Sequence, residues 1–246
     1  MVKPGDRILI GASGGKDSML LSYLLSRRRD ALARRGAAYG EAPAGEGSAP
    51  FKLLALRVVY GEAGRPGPRS PADARLAELY DSWGIPLIDY SVDSPAPAEL
   101  GCYRCASLRR AALMSFAASE GLNVVALGHH LDDILTTALM NLVRRGMIEG
   151  MEPVRAYPGF GVKLVRPLCY IPEESIRRFA AERGWLSVSC SCPAGAGGER
   201  AEFRRRLEAL CPGGLAEKHR LFEGLITIRL NREPCRLVLR DSLLTL

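Results

Sequence analysis

The chain has no apolar run approaching the ~20 residues that a bilayer span needs, and its opening, MVKPGDRILIGAS, lacks the apolar stretch of a signal peptide. These absences exclude the obvious membrane and secreted classes and lead to the expectation of a soluble cytoplasmic protein with no membrane partner. No segment repeats at a period of about 20–50 residues, which removes solenoids and propellers. Two common nucleotide signatures are missing as well. GxGxxG does not occur, and a Walker A loop would need Gly at Ile10 and Ser or Thr at Asp17. Lysine is scarce, at 5 against 29 arginines, an imbalance that a GC-rich genome explains more simply than phosphate recognition does. There is no second CxxC to complete a zinc site.

What is present belongs to a folded chain. Of 246 residues, 47% are hydrophobic and 25% charged, with 26 Gly and 16 Pro. One large domain or two small ones of this length bury about 70–75% of the unfolded surface, so no disulfide scaffold is required. Seven cysteines are nevertheless many, and an odd number for a disulfide set. In a reducing compartment such thiols are core fillers, metal ligands or catalysts. The net charge is +7: residues 1–100 hold 13 basic and 12 acidic side chains, the remainder 21 and 15. The excess therefore lies with the later cysteines and favours a polyanionic partner without identifying one.

Strand and helix signals alternate. Arg7–Ala12 reads as a buried strand, followed by a helix from Lys16 to Arg35. Gly36–Pro50 reads as a surface excursion. Further strands are expected at Phe51–Tyr60, Pro86–Val92, Val124–Leu127 and Val162–Leu168. The helices between and after them are expected from Ser70-Pro71 to Trp83, Tyr103 to Glu120, Asp132 to Arg145 and Pro172 to Arg183. Two tail helices, Glu199–Leu210 and Leu215–Arg229, and a weak final strand complete the reading. The pattern predicts an α/β fold, a doubly wound and mostly parallel five-stranded sheet. Residues 1–190 would form the main domain, and 191–246 a helical extension packed on it.

Three motifs carry chemistry. Ser13-Gly14-Gly15-Lys16-Asp17-Ser18, preceded by Ala12, lies between the first strand and the first helix. Glycines there allow close backbone approach to an anion, while helix N–H groups, serine hydroxyls and a lysine surround it. A Gly-rich turn with a capping Asp is the plain structural alternative. Cys102-Tyr103-Arg104-Cys105 is expected at a helix start, where the positive helix end would lower the thiol pKa. It suits a zinc half-site, a redox pair or part of an iron–sulfur site. Cys190-Ser191-Cys192-Pro193 offers a further thiolate, whereas Cys169, Cys211 and Cys235 read as structural. Gly128-His129-His130-Leu131-Asp132-Asp133 follows the fourth strand. Helix capping accounts for one of its carboxylates but not for the whole string.

The SGGKDS string after a first strand resembles the pyrophosphate loop of the PP-loop ATPases. Together with CYRCASLRR at 102–110, ALGHHLDDILTTALMNLV at 126–143, GMEP at 150–153, VRPLCY at 165–170 and the cysteines at 190–192, it resembles the tRNA 2-thiocytidine synthetase branch. The resemblance implies ATP bound by residues 12–18 with Gly128 and His129, and Mg2+ near Asp132 and Asp133. Lys16, Asp132 and Asp133 would be catalytic, and Arg109 and Arg110 would contact phosphate or RNA. It implies a [4Fe-4S] cluster on Cys102, Cys105 and Cys192, with Cys190 the alternative third ligand, leaving one iron to carry sulfur. Its partners would be tRNA and a sulfide or persulfide donor derived from a cysteine desulfurase, and a homodimer is compatible with it. The chain departs from the family in spacing its late cysteines as CxC, and in having Leu131 where many members carry Arg. Two other classes compete: a lysidine-synthetase-like ligase with an amine nucleophile, and a non-catalytic nucleic-acid module stapled by a metal.

Overall fold

Ile8, Leu9 and Ile10 are fully buried, because strand β1 (Arg7–Gly11) runs through the middle of the molecule. Alternation sends Ile8 and Ile10 into one core and Leu9 into the other. Each such side chain contributes about 1.5–3 kcal/mol by leaving water. The computed structural model describes residues 1–38, 50–61, 71–94, 97–185 and 198–230.

The remaining strands are β2 (Lys52–Gly61), β3 (Leu87–Asp93), β4 (Val124–Ala126), β5 (Val154–Tyr157) and β6 (Val162–Val165). The helices are α1 (Lys16–Ala38), α2 (Pro71–Ser82), α3 (Pro97–Ser119), α4 (Leu131–Arg145), α5 (Glu173–Glu182), α6 (Glu199–Leu210) and α7 (Leu215–Leu230). They build one sheet in the order β3-β2-β1-β4-β6-β5, parallel except for the β5–β6 pair. The fold class is as the sequence predicts, but among the described residues the sheet has six strands and not five. The missed strand, β5, has only four residues and pairs back on β6 through a 3-10 turn at Pro158–Phe160 and Gly161 in the left-handed region (φ 63°).

The first core packs α1, α2 and α5 on one sheet face, and the second packs α3 on the other. A third joins Leu131, Ile134 and Leu135 of α4 to Leu207 of α6, Cys211 and Phe222 of α7. The tail helices therefore rest on α4. Among the described residues no helix is long and apolar enough to cross a membrane. The weak final strand falls outside the described residues.

The topology fixes where a ligand fits. From β1 the chain winds outward through β2 and β3, then returns to place β4 on the other side of β1. Ligands of open α/β sheets bind in the crevice at the carboxyl ends of strands, where the winding reverses. Here that crevice lies between the ends of β1 and β4, and the loops leaving those strands are residues 12–15 and 127–130.

Candidate active site

The loop after β1 is ordered by its own serines. The Ser13 N–H and hydroxyl both donate to Ser18 Oγ (3.2 and 3.1 Å), and the Ser18 hydroxyl donates to the Gly15 carbonyl (2.9 Å). Gly15 N–H donates to Ser13 Oγ at 3.3 Å. Gly14 takes φ 75°, a conformation side chains rarely adopt. Ala12 is tied elsewhere, its N–H donating to Leu56 of β2 at 2.9 Å. Because α1 begins at Lys16, its first-turn N–H groups have no partner within the helix.

The loop after β4 closes against this one. A Cβ on Gly128 would stand 2.9 Å from the Asp17 carbonyl carbon and oxygen and 3.0 Å from Ser18 N. Only glycine lets the two backbones meet so closely. Beside it, half-buried His129 accepts a hydrogen bond at Nδ1 from Arg166 Nε (3.2 Å). A ring nitrogen that accepts from a guanidinium carries no proton, so the neutral ring bears its proton on Nε2. Burial pushes the His129 pKa down to about 4, with Arg166 adding to the effect against Asp133.

Lys16 Nζ lies 3.2 Å from Asp17 Oδ1 and 3.0 Å from Glu173 Oε1. Burial opposes its charge, but the two carboxylates outweigh burial and raise its pKa. Glu173 Oε2 is 2.8 Å from Arg204 Nη1, and Arg204 Nη2 lies 3.1 Å from Asp133 Oδ1, which Arg200 Nη2 also reaches at 3.1 Å. A continuous charge network thus runs from the phosphate loop through the start of α5 to α6. Burial acts against the ionised forms of Glu173 and Asp133. Lys16 and Arg204 hold Glu173 below the usual carboxylate range, while His130 and Arg200 do the same for Asp133.

The paired aspartates separate. Asp133 reaches back to the His130 N–H (3.3 Å), fixing the first turn of α4. Asp132 is 2% exposed and turns into the protein, where Oδ1 accepts from Lys218 Nζ and Oδ2 from the Glu173 N–H, both at 2.7 Å. Of the two aspartates expected to face the nucleotide or its magnesium, Asp132 is thus engaged by Lys218 and the Glu173 backbone. The carboxylates gathered around the phosphate-loop lysine are Asp17 and Glu173. Sequence reasoning missed Glu173; its only signal was an acidic residue after Pro172 at a helix start. Nothing in EFRRRLE singled out Arg204.

The CxxC also sits differently. Proline is tolerated in a helix's first turn, so α3 begins at Pro97 and not near Tyr103. Cys105 therefore lies beyond the first turn, where the helix dipole has faded. Its side chain is buried, with Sγ 3.0 Å from the Tyr60 hydroxyl, which accepts from Arg109 Nε at 3.1 Å. Arg110 Nε donates to Ala106 within the helix. Tyr60 lies four residues beyond Leu56, the register partner of Gly11, hence about 13 Å further along the same carboxyl edge. The Cys102 side chain, Cys190, Cys192 and Cys235 lie outside the described residues. Cys169 and Cys211 are buried free thiols, their pKa values raised by burial. Among the described residues no three His, Cys, Asp or Glu side chains converge on a point that would hold a metal ion.

A family model described as a PP-loop domain matches residues 71–207, more than half of the chain. A tRNA-cytidine(32) 2-sulfurtransferase of Geobacter metallireducens is 32% identical over 98% of this chain and 88% of its own length. The chain belongs to the PP-loop family of tRNA-cytidine 2-sulfurtransferases. A second relative of that name, from Pelobacter propionicus, is 34% identical over 84% of the chain and 70% of its own length. A U34-tRNA thiolase from Methanococcus maripaludis, solved with its [4Fe-4S] cluster, superimposes with a TM-score of 0.66. At 22% identity, over 96% of this chain and 76% of that one, it shows the common fold. In this PP-loop protein the phosphate loop itself, residues 13–18, precedes the segment matched by the family model.

Proposed function

We propose that this protein thiolates a cytidine of tRNA in an ATP-dependent reaction. The observation that carries the reading is the convergence of Ser13–Ser18, Gly128 and Lys16 at the sheet's switch point. Membership of the sulfurtransferase family supplies the substrate class. The cytidine O2 attacks the α-phosphorus of ATP, pyrophosphate leaves, and the adenylated C2 then accepts sulfur as AMP departs. Lys16 and the N–H groups at the start of α1 stabilise the charge that grows on the departing pyrophosphate. Asp17 and Glu173, the carboxylates paired with Lys16, are the residues that would hold nucleotide-bound Mg2+. The His129 Nε2–H is a neutral donor for an oxygen of the nucleotide or base. Asp133 acts by holding Arg200 and Arg204, and Asp132 by anchoring α5 against α7.

For the cluster, the donor chemistry fits at the one ligand whose side chain is described: Cys105 Sγ is a buried, soft sulfur donor with the Tyr60 hydroxyl 3.0 Å away. Cys102, Cys105 and Cys192 would hold it, and when bound it would supply sulfide-level sulfur, taken from sulfide directly or from a persulfide together with a two-electron thiol reductant. An amine ligase of the lysidine-synthetase type needs none of these cysteines. The test is mass spectrometry of tRNA nucleosides from a deletion strain complemented with wild-type or Lys16→Ala protein. A thiolated cytidine should vanish on deletion and return with the wild type alone; its return with Lys16→Ala would contradict the reading.

A further inference from the structure

Tyr60 stands at the end of β2 with its hydroxyl 3.0 Å from Cys105 Sγ, 3.2 Å from the Cys105 carbonyl and 3.1 Å from Arg109 Nε. The Arg109 guanidinium also lies over its ring, 5.5 Å from the centroid. A phenol has one proton to give. Arg109 Nε can only donate, so it takes a lone pair of the phenolic oxygen and leaves the proton free. The Cys105 carbonyl is already an acceptor within α3. The phenol proton then has two acceptors within reach, the second lone pair of that carbonyl at 3.2 Å and the nearer Sγ at 3.0 Å, which has no proton of its own when it ligates a metal.

We infer that Tyr60 is a positioning residue for the iron–sulfur cluster: its O–H donates to the Cys105 thiolate and thereby sets the reduction potential and iron retention of the bound cluster. This rests on the reading of Cys105 as a ligand. A hydrogen bond to a ligating sulfur draws electron density from it and favours the reduced cluster. The same bond fixes the side chain and slows ligand release. Arg109 acts through Tyr60, since its Nε fixes which way the phenol proton points. No other part of the CxxC segment gave this role away in the sequence, because Tyr60 and Cys105 are 45 positions apart.

The test uses the full chain reconstituted anaerobically with iron and sulfide, comparing wild type with Tyr60→Phe. Iron content, reduction potential by spectroelectrochemistry and the rate of iron loss to a chelator are measured. The expected result is equal iron content, a more negative potential in the variant, and iron loss faster by about tenfold or more. Equal potential and equal release rate would overturn the inference while leaving the proposed function standing. A wild type that takes up no cluster, or a Cys105→Ser protein that keeps a full one, would instead overturn the ligand reading, and the inference with it. Should Tyr60→Phe fail to fold, site-specific replacement of Tyr60 by 3-fluorotyrosine decides. Its more acidic phenol donates more strongly and should move the potential positive; no movement would overturn the inference.

Discussion

The Lys16 ammonium is held between Asp17 and Glu173, so the cation proposed to meet pyrophosphate is already paired with protein carboxylates. This keeps the loop formed without ligand and makes Lys16 exchangeable for phosphate. Lys16→Ala should lower turnover by about a hundredfold or more, the scale of removing one preorganised donor, with iron content unchanged. Single-turnover AMP formation checks it. His129 makes a separate prediction. Its pKa is about 4 in the folded protein against 6.5 for an ordinary histidine. Between those values the unfolded chain binds a proton that the folded one does not, so stability falls as pH is lowered from about 6.5 towards 4. Asp132, Asp133 and Glu173, all held below their ordinary values of 3.8 and 4.5, lose their contributions at still lower pH. Urea midpoints across that range should fall in the wild type and flatten in His129→Gln.

Helix α4 is the element on which the site is hung. His130 and Asp133 fix its first turn, Gly146 ends it in the left-handed region (φ 64°), and its apolar face receives α6 and α7. The loop before it depends on Gly128. Gly128→Ala should destabilise the fold by about 1–3 kcal/mol through overpacking against the Asp17 and Ser18 backbone. It should also weaken ATP binding by at least about tenfold, measured by calorimetry. Lys218 ties α7 to the buried Asp132, and Lys218→Met, which removes the cation from that buried carboxylate, should cost about 3–5 kcal/mol in urea unfolding. The strands through β4 and the phosphate loop were legible because a buried parallel strand ending in SGG is a local signal. Helix α3 was read late because a proline in the first turn looks like loop. The placement of Glu173, Arg204 and Tyr60 was not legible, since each comes from a contact between distant segments: Lys16 with Glu173, Arg204 with Asp133, and Tyr60 with Cys105.

At the scale of the molecule, the charge of +7 is consistent with an RNA partner, with most of the excess beyond residue 100. If tRNA is held through several phosphates, raising salt from about 50 to 200 mM should lower its affinity by about tenfold or more, with log K linear in log salt. Filter binding checks this. The chain brings the crevice between β1 and β4 and the cysteine-bearing α3 to the same edge of one sheet; under the proposed function, activation and sulfur delivery would there act on a single base. The most direct test of this account is a reaction of the reconstituted protein with unmodified tRNA, ATP, Mg2+ and sulfide, in which thiolated cytidine and AMP are quantified together. The account predicts AMP and thiolated cytidine in equal amounts, both lost with Lys16→Ala. ADP as the nucleotide product, or AMP without any thiolated base, would contradict it.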